Sequence, residues 1–307
     1  MPKHNTQYTI HNTNPTYALI LVGGKGKRLR PLSTDSRPKA FLSITKDRKT
    51  MFRKTVDRLK SILPSDNILV AANRRHAKLV RRDFPEIANG NMLLEPVSRN
   101  TAPAITLAAF ILKKRSRDAL MAVLPTDQYI RDVDRYLGVL KRGIDFVRDN
   151  REALLVLGVR PTFPSTQFGY VKLKAKSSQL KAERIYEVEK FVEKPGLETA
   201  KRYLKDGRYL WNAGAFIFAA ASILTAVEKY APRIFNGLKD LNRIDENYKG
   251  LPDISIDYAV MEKADNIYCV RGSYRWQDMG GFDSLKSVLM KEGRKFVARN
   301  GKVVKIL

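Results

Sequence analysis

The apolar run Tyr17 to Val22 passes directly into Gly23-Gly24-Lys25-Gly26-Lys27-Arg28-Leu29-Arg30-Pro31-Leu32, and Arg37-Pro38-Lys39 follows closely. A short, buried-looking strand of this kind needs a sheet to lie in, and the loop that follows it must fall at the sheet's carboxyl edge. Glycines let backbone N–H groups approach an anion closely, and Lys25, Lys27, Arg28, Arg30 and Lys39 carry enough charge to neutralise several phosphates. The expected guest is a nucleoside triphosphate. Two common phosphate loops are excluded by spelling. Gly26-Lys27 is followed by Arg28 rather than Ser or Thr, and Leu29 stands where the dinucleotide fingerprint needs its third glycine.

Further apolar runs of strand length lie at Asn67 to Ala71, Ala119 to Leu124 and Ala153 to Val159, alternating with helical patterns. Within Thr101 to Arg117, Ile105, Ala108, Ala109 and Leu112 repeat at helical spacing. Pro103 suits the first turn, and Lys113-Lys114-Arg115 suits the negative end of the helix dipole. Strand, helix, strand in succession predicts parallel pairing through right-handed crossovers, hence an open, doubly wound α/β sheet. Gly23-Gly24 and Asp127 follow different strands of that sheet and fall on one edge. After Pro161 the texture changes: Tyr170 to Lys174 and Ile185 to Phe191 alternate apolar and polar residues, as half-exposed antiparallel strands do. A helix from Leu197 to Lys205 stops at Gly207, and another is expected to begin near Ser222 as its N-cap.

Cys269 is the only cysteine, so an intrachain disulfide and a thiolate metal cage are excluded, and a reducing, cytoplasmic setting is expected. The polar start Met1 to Thr16 lacks the apolar stretch of a signal peptide. No later segment is apolar enough to span a bilayer, so no membrane partner is expected. Against 31 Asp and Glu stand 57 Lys and Arg, a formal charge of +26. These residues are dispersed and come without zinc-finger spacing, heptads or an aromatic-rich strand-binding pattern. They read as solvated surface, with no specific nucleic-acid partner. Two of the three histidines, His4 and His11, lie in the polar start and His76 stands alone, which argues against a histidine base.

The glycine loop with its Pro38-Lys39 sequel has the form Gly-Gly-x-Gly-x-Arg-Leu-x-Pro-Leu completed by Pro-Lys. Further blocks follow at Glu95 to Ala104, Leu124-Pro125-Thr126-Asp127, Phe168-Gly169-Tyr170, Phe191-Val192-Glu193-Lys194-Pro195, Trp211-Asn212-Ala213-Gly214, Ser255 to Glu262 and Trp276-Gln277-Asp278-Met279-Gly280. In content and order they resemble the sugar-1-phosphate nucleotidyltransferases. The Arg99 to Pro103 and Ser255 to Glu262 blocks look most like members that join GTP to mannose 1-phosphate.

The resemblance implies a mostly parallel, Rossmann-like and glycosyltransferase-A-like sheet with an antiparallel sugar-binding part. It divides the chain into an N-terminal extension (1–16), a domain (17–290) with a nucleotide half (17–160) and a sugar-phosphate half (161–290), and a short tail (291–307). It leaves no room for the additional C-terminal domain of longer members. A homodimer is compatible with it.

The implied reaction is in-line attack of a sugar phosphate on the α-phosphorus of the nucleotide, with magnesium held by Asp127 and Asp278. Arg28 would hold the β- and γ-phosphates, Lys39 would bridge the donor and acceptor phosphates, and Lys194 would grip the sugar phosphate. Glu193 and Asn212, with backbone at Gly169 and Gly214, would meet sugar hydroxyls. Leu21, Gly23, Gly24, Gly26, Glu95, Arg99 and Asn100 would surround the nucleotide. From position alone, Glu193 equally fits an outward residue of an alternating strand, and Asp127 a turn or cap. Trp211 and Phe216 are assigned to the core.

The chain departs from the guanylyltransferase pattern at Gln128 (commonly His), Lys27 (Thr), Arg30 (Trp), Ala213 (Ser) and Thr166 to Tyr170. Glucose or heptose 1-phosphate with UTP, dTTP or GTP is the alternative substrate reading, and a non-catalytic nucleotide sensor or a nucleic-acid binder the alternative class.

Overall fold

The computed structural model describes residues 15–24, 26–174 and 184–307; Lys25, His4 and His11 fall outside the described residues. Among the described residues thirteen strands follow in order: β1 Thr16–Val22, β2 Ile68–Asn73, β3 Met92–Glu95, β4 Leu120–Pro125, β5 Gln128–Ile130, β6 Leu154–Val159, β7 Tyr170–Leu173, β8 Ile185–Val192, β9 Tyr209–Ala219, β10 Ile267–Gly272, β11 Trp276–Asp278, β12 Phe296–Arg299 and β13 Lys302–Ile306. Nine of them form one sheet in the order β3-β2-β1-β4-β9-β6-β10-β8-β7, with β7 also pairing to β9.

β1, β2, β3 and β4 pair in parallel, as strand–helix–strand succession predicts. β9 lies antiparallel between β4 and β6, β10 runs parallel to β6, and β7 and β8 extend the antiparallel part. Along β1 the side chains alternate between two cores. Ala18, Ile20 and Val22 join Phe52, Val56 and Tyr136 on one face, while Leu19 joins Leu69, Ile105 and Ala108 on the other. A strand packed on both faces has to read as a continuous apolar run, which is why TYALILV has no polar stripe.

The helix Thr101–Arg115 begins as its spacing predicts, with the Asn100 side chain accepting from the Thr101 N–H, and ends when Ser116 turns extended. Helix Leu197–Asp206 stops at Gly207, whose φ of 74° is the left-handed conformation expected there. The expectation at Ser222 is corrected: the helix spans Ala220–Tyr230 and Ser222 lies inside it, its hydroxyl donating to the Arg151 carbonyl. The Ala220 N–H instead finds the Ala119 carbonyl at 2.9 Å, so a neighbouring backbone group does the work of a side-chain cap.

Residues beyond 291 pair as a β12–β13 hairpin. Val303 enters a third apolar cluster with Leu29, Leu32, Met279 and Leu285, tying the hairpin to the loop after β1. Among the described residues no helix is long and apolar enough to cross a membrane.

Candidate active site

β1 and β4 are parallel neighbours, so Gly23 after one and Asp127 after the other emerge at the same edge, as expected. The loop after β1 needs its glycines. Gly24 and Gly26 have φ of 91° and 56°, and a Cβ at Gly26 would stand 2.9 Å from the Ser33 Oγ. The Ser33 hydroxyl donates to the Gly26 carbonyl at 2.7 Å, and the Leu29 N–H does so at 2.8 Å. Buried Leu29 anchors this turn and leaves Arg28 exposed, its Nη1 donating to Gln167 Oε1 at 2.9 Å. Arg30 pairs with Asp35 instead of facing the loop's interior.

Lys39 follows Pro38 on a short 3₁₀ turn and is buried, its Nζ donating to Asp127 Oδ2 at 2.8 Å. The second aspartate arrives on a separate ribbon. β5 and β11 pair antiparallel, placing Asp278 opposite Gln128, and the Met279 N–H donates to the Asp127 carbonyl at 3.0 Å. Burial pushes the Asp278 carboxyl up, Lys39 opposes this, and Asp127 adds to the upward push. A Cβ at Gly280 would lie 2.3 Å from Asp278 Oδ2 and 3.4 Å from Arg28 Nη2, so a side chain here would displace the Asp278 carboxylate. Arg28, Lys39, Asp127 and Asp278 therefore meet at one point on the carboxyl edge. Gln128, in the position commonly held by His, is buried with its amide donating to the Ala213 carbonyl.

On one side of this point lies a cavity of about 280 Å³ lined by Gly23, Gly24, Thr34, Asn73, Ser98 and Asn100, among others. Asn73 and Ser98 were missed from sequence; the second belongs to the block beginning at Glu95. Several residues expected around the nucleotide have hydrogen-bond partners within the protein. Asn100, at a φ of 63°, uses its side-chain oxygen as the helix cap. Arg99 donates to the Lys249 carbonyl, and the Leu21 carbonyl accepts from Thr126. Glu95 lies at the end of β3, buried, and accepts from the Tyr248 hydroxyl. Burial pushes its carboxyl up to about 7 against the opposing effect of that hydrogen bond. Glu95 and Arg99 do not line the cavity.

The opposite side is a wired network. The Asn212 N–H donates to the Gly169 carbonyl at 2.8 Å, and Asn212 Oδ1 accepts from the Gly214 N–H at 2.7 Å. Gly214 has a φ of 67°. Asn212 Nδ2 donates to Asp257 Oδ1 at 2.8 Å, which fixes which way the amide faces. The Glu193 side chain is 7% exposed and its N–H donates to Glu262 Oε1 at 2.7 Å. Burial pushes the Glu193 carboxyl up to about 6, with the Asp257 charge adding and Lys194 opposing. Lys194 pairs with Glu193 from a backbone φ of 48°, a conformation costly for any residue but glycine. Gly169 makes room, because a Cβ there would sit 2.4 Å from Glu193 Oε2. Gly169, Glu193, Lys194, Asn212 and Gly214 are thus brought together as expected. Asp257 and Glu262 complete the network and were not singled out from sequence, although both fall in the Ser255 to Glu262 block. Trp211 and Phe216 are buried, as assigned.

A match to the profile of the nucleotidyl transferase family extends over residues 17–295. The chain belongs to that family. Among curated relatives, the mannose-1-phosphate guanylyltransferase RfbM of Salmonella typhimurium is 35% identical over 297 residues, covering 92% of this chain and 60% of its own. The chain spans about 60% of the length of the curated relatives it matches. A Thermus thermophilus structure described as mannose-1-phosphate geranyltransferase superposes with a TM-score of 0.80 at 36% identity, covering 89% of this chain and 78% of that one. A Helicobacter pylori structure described as mannose-6-phosphate isomerase gives a TM-score of 0.71 at 28% identity, covering 85% and 99%. This family member therefore shares its mixed α/β architecture with solved nucleotidyltransferases.

Proposed function

We propose that the chain transfers a guanylyl group from GTP to α-D-mannose 1-phosphate, giving GDP-mannose and diphosphate. The supporting observation is the meeting of Arg28, Lys39, Asp127 and Asp278 between an open cavity at the glycine loop and the Glu193–Asn212 network. A phosphate oxygen of the sugar phosphate attacks the α-phosphorus; the new P–O bond forms as the bond to the β-phosphate oxygen breaks, and diphosphate leaves in line. Both partners are highly anionic, so alignment and charge neutralisation dominate the barrier.

Lys39 lies where donor and acceptor phosphates would converge, and exposed Arg28 faces the leaving diphosphate with a planar fork suited to two oxygens. Glu193 and Asn212 orient the sugar hydroxyls, and Lys194 holds the acceptor phosphate. The donor set suits magnesium. Lys39 already places a cationic group on an Asp127 oxygen, and a hard cation that takes phosphate oxygens and retains water needs only two carboxylates. Asp127 and Asp278 would hold it, and it supplies further neutralisation of the triphosphate. Among the described residues no group of three or more acidic, His or Cys side chains forms an all-protein cage.

The isomerase name of the Helicobacter pylori structure describes a one-substrate reaction; two subsites flanking a shared cationic centre favour the two-substrate transfer. The same reading makes the chain a cytoplasmic enzyme of nucleotide-sugar synthesis. Diphosphate release measured over four nucleoside triphosphates and a set of sugar 1-phosphates, with and without magnesium, tests it. GTP with mannose 1-phosphate is expected to be the preferred pair, and preference for glucose or heptose 1-phosphate with another nucleotide would replace this reading with the alternative.

A further inference from the structure

The stretch between β6 and β7 joins the two sides of the site. Gln167, an exposed residue of that stretch, accepts at Oε1 from Arg28 Nη1 at 2.9 Å, although the two are far apart in the chain. It falls within Thr166 to Tyr170, where the chain departs from the guanylyltransferase pattern. An arginine carries donors only, so the amide has to turn its carbonyl oxygen toward the guanidinium. On the other flank, a Cβ at Gly280 would stand 3.4 and 3.5 Å from the two terminal nitrogens of Arg28, which sets the glycine backbone against the fork.

The backbone that carries Gln167 is fixed on both sides. Its own N–H donates to Ser165 Oγ at 3.1 Å, and the carbonyl of buried Ser165 accepts from the hydroxyl of buried Tyr170 at 2.9 Å. The Phe168 ring meets Trp211 and Trp276 edge-on, with centroids 5.0 and 5.2 Å away, and Trp276 lies on β11, the strand that carries Asp278. The Phe168 carbonyl accepts from the Lys194 N–H at 3.2 Å, and the Gly169 carbonyl accepts from the Asn212 N–H. An exposed side chain on so firmly held a segment has a defined reach, and it is spent on Arg28.

The chemistry of the partner matters as much as its place. A carboxylate orients a guanidinium but cancels much of its charge, as Asp35 does for Arg30. A neutral amide orients the fork and leaves the charge for an anion. Building on the guanylyl-transfer reading above, we propose that Gln167 is a positioning residue: it fixes the Arg28 fork toward the leaving diphosphate without neutralising it. A long, exposed arginine would otherwise sample many rotamers, and each phosphate contact would have to order it anew.

Equilibrium binding of inorganic diphosphate to the intact chain, with magnesium present, reads this without turnover. Gln167→Ala should weaken binding about threefold by freeing the fork, and Gln167→Glu about tenfold or more by pairing with it. That order separates the proposal from a structural role, because Glu matches Gln in shape and would replace a merely structural side chain better than Ala does. In an Arg28→Ala background both substitutions should lose their effect. With GTP and mannose 1-phosphate, kcat should fall in the same order while KM for mannose 1-phosphate stays within about twofold. Unchanged binding and kcat in Gln167→Glu, a milder loss for Glu than for Ala, or losses that persist in the Arg28→Ala background would each overturn the proposal. Absence of diphosphate release from every nucleotide and sugar phosphate would overturn the transfer reading and leave the order of diphosphate affinities intact, so the two fail separately.

Discussion

On the proposed reading, the phosphate side and the sugar side of the cleft would hold an anionic substrate in different ways. The first is an open rim, in which Gly23, Gly24 and Arg28 are exposed and the loop's shape comes from Ser33 and Leu29 behind it. The second is closed and pre-wired, in that the Glu193 side chain is buried, Asp257 is half-buried, and Asn212 is oriented at both ends of its amide before any ligand arrives. An open rim accommodates the long, mobile triphosphate through charge, whereas discrimination among sugar hydroxyls needs acceptors fixed in direction. The contrast teaches that nucleotide binding here should tolerate geometric change better than sugar recognition does.

The largest expected effect lies where the two sides meet. Asp127→Ala and Asp278→Ala should each lower magnesium-dependent turnover by several kcal/mol of barrier, roughly 1,000-fold or more, with the fold retained. Near-normal diphosphate release from either folded variant would break the assignment of the meeting point.

Glu95→Gln asks whether the buried carboxylate beneath the nucleotide side is structural. Its folded-state value is raised to about 7 from an ordinary 4.5, so its contribution to stability is complete below about 4.5 and is lost as the pH rises through 7. The neutral amide escapes that loss. The variant should unfold at higher denaturant at pH 8, by up to about 3 kcal/mol, and match wild type near pH 4.5. A pH-independent difference would show that charge at Glu95 is not the cause.

On the sugar side, Glu193→Gln should weaken use of mannose 1-phosphate by about 1.5–3 kcal/mol, with GTP binding spared. Comparing KM for each substrate checks it, and equal losses would erase the division between the two sides. The smallest effect is expected on the open rim. Arg28→Lys keeps the charge but loses the fork, and should cost about tenfold in turnover, roughly 1.4 kcal/mol. A rate within about twofold of wild type would mean that Arg28 adds only to the general field and would sharpen the contrast.

Much of this was legible in sequence because its cause is local. The glycine turn after Val22 needs, at Gly24 and Gly26, conformations only glycine adopts readily, and Asp127 follows its strand closely. The alternating texture of β7 and β8 marks their half-exposed setting. What was misread had causes outside the local window. β3 has four residues, too few to establish a period, and with it went the burial of Glu95 beside Tyr248. The helix at Ala220 begins where the Ala119 carbonyl accepts its first N–H, a partner far away in the chain. The ion pair that Arg30 makes with Asp35 was likewise not read from the sequence.

From sequence alone came the parallel core, the edge at which ligands gather, and the residue types able to neutralise phosphates. These follow from periodicity, glycine freedom and charge, which act over a few neighbouring residues. Tertiary structure alone decided that the β5–β11 ribbon would bring Asp278 beside Asp127, that Asp257 would fix the Asn212 amide, and that Gln167 would stand against Arg28. Those facts depend on which distant segments share space. That is set by burying two faces of one sheet at once, and no local pattern encodes it.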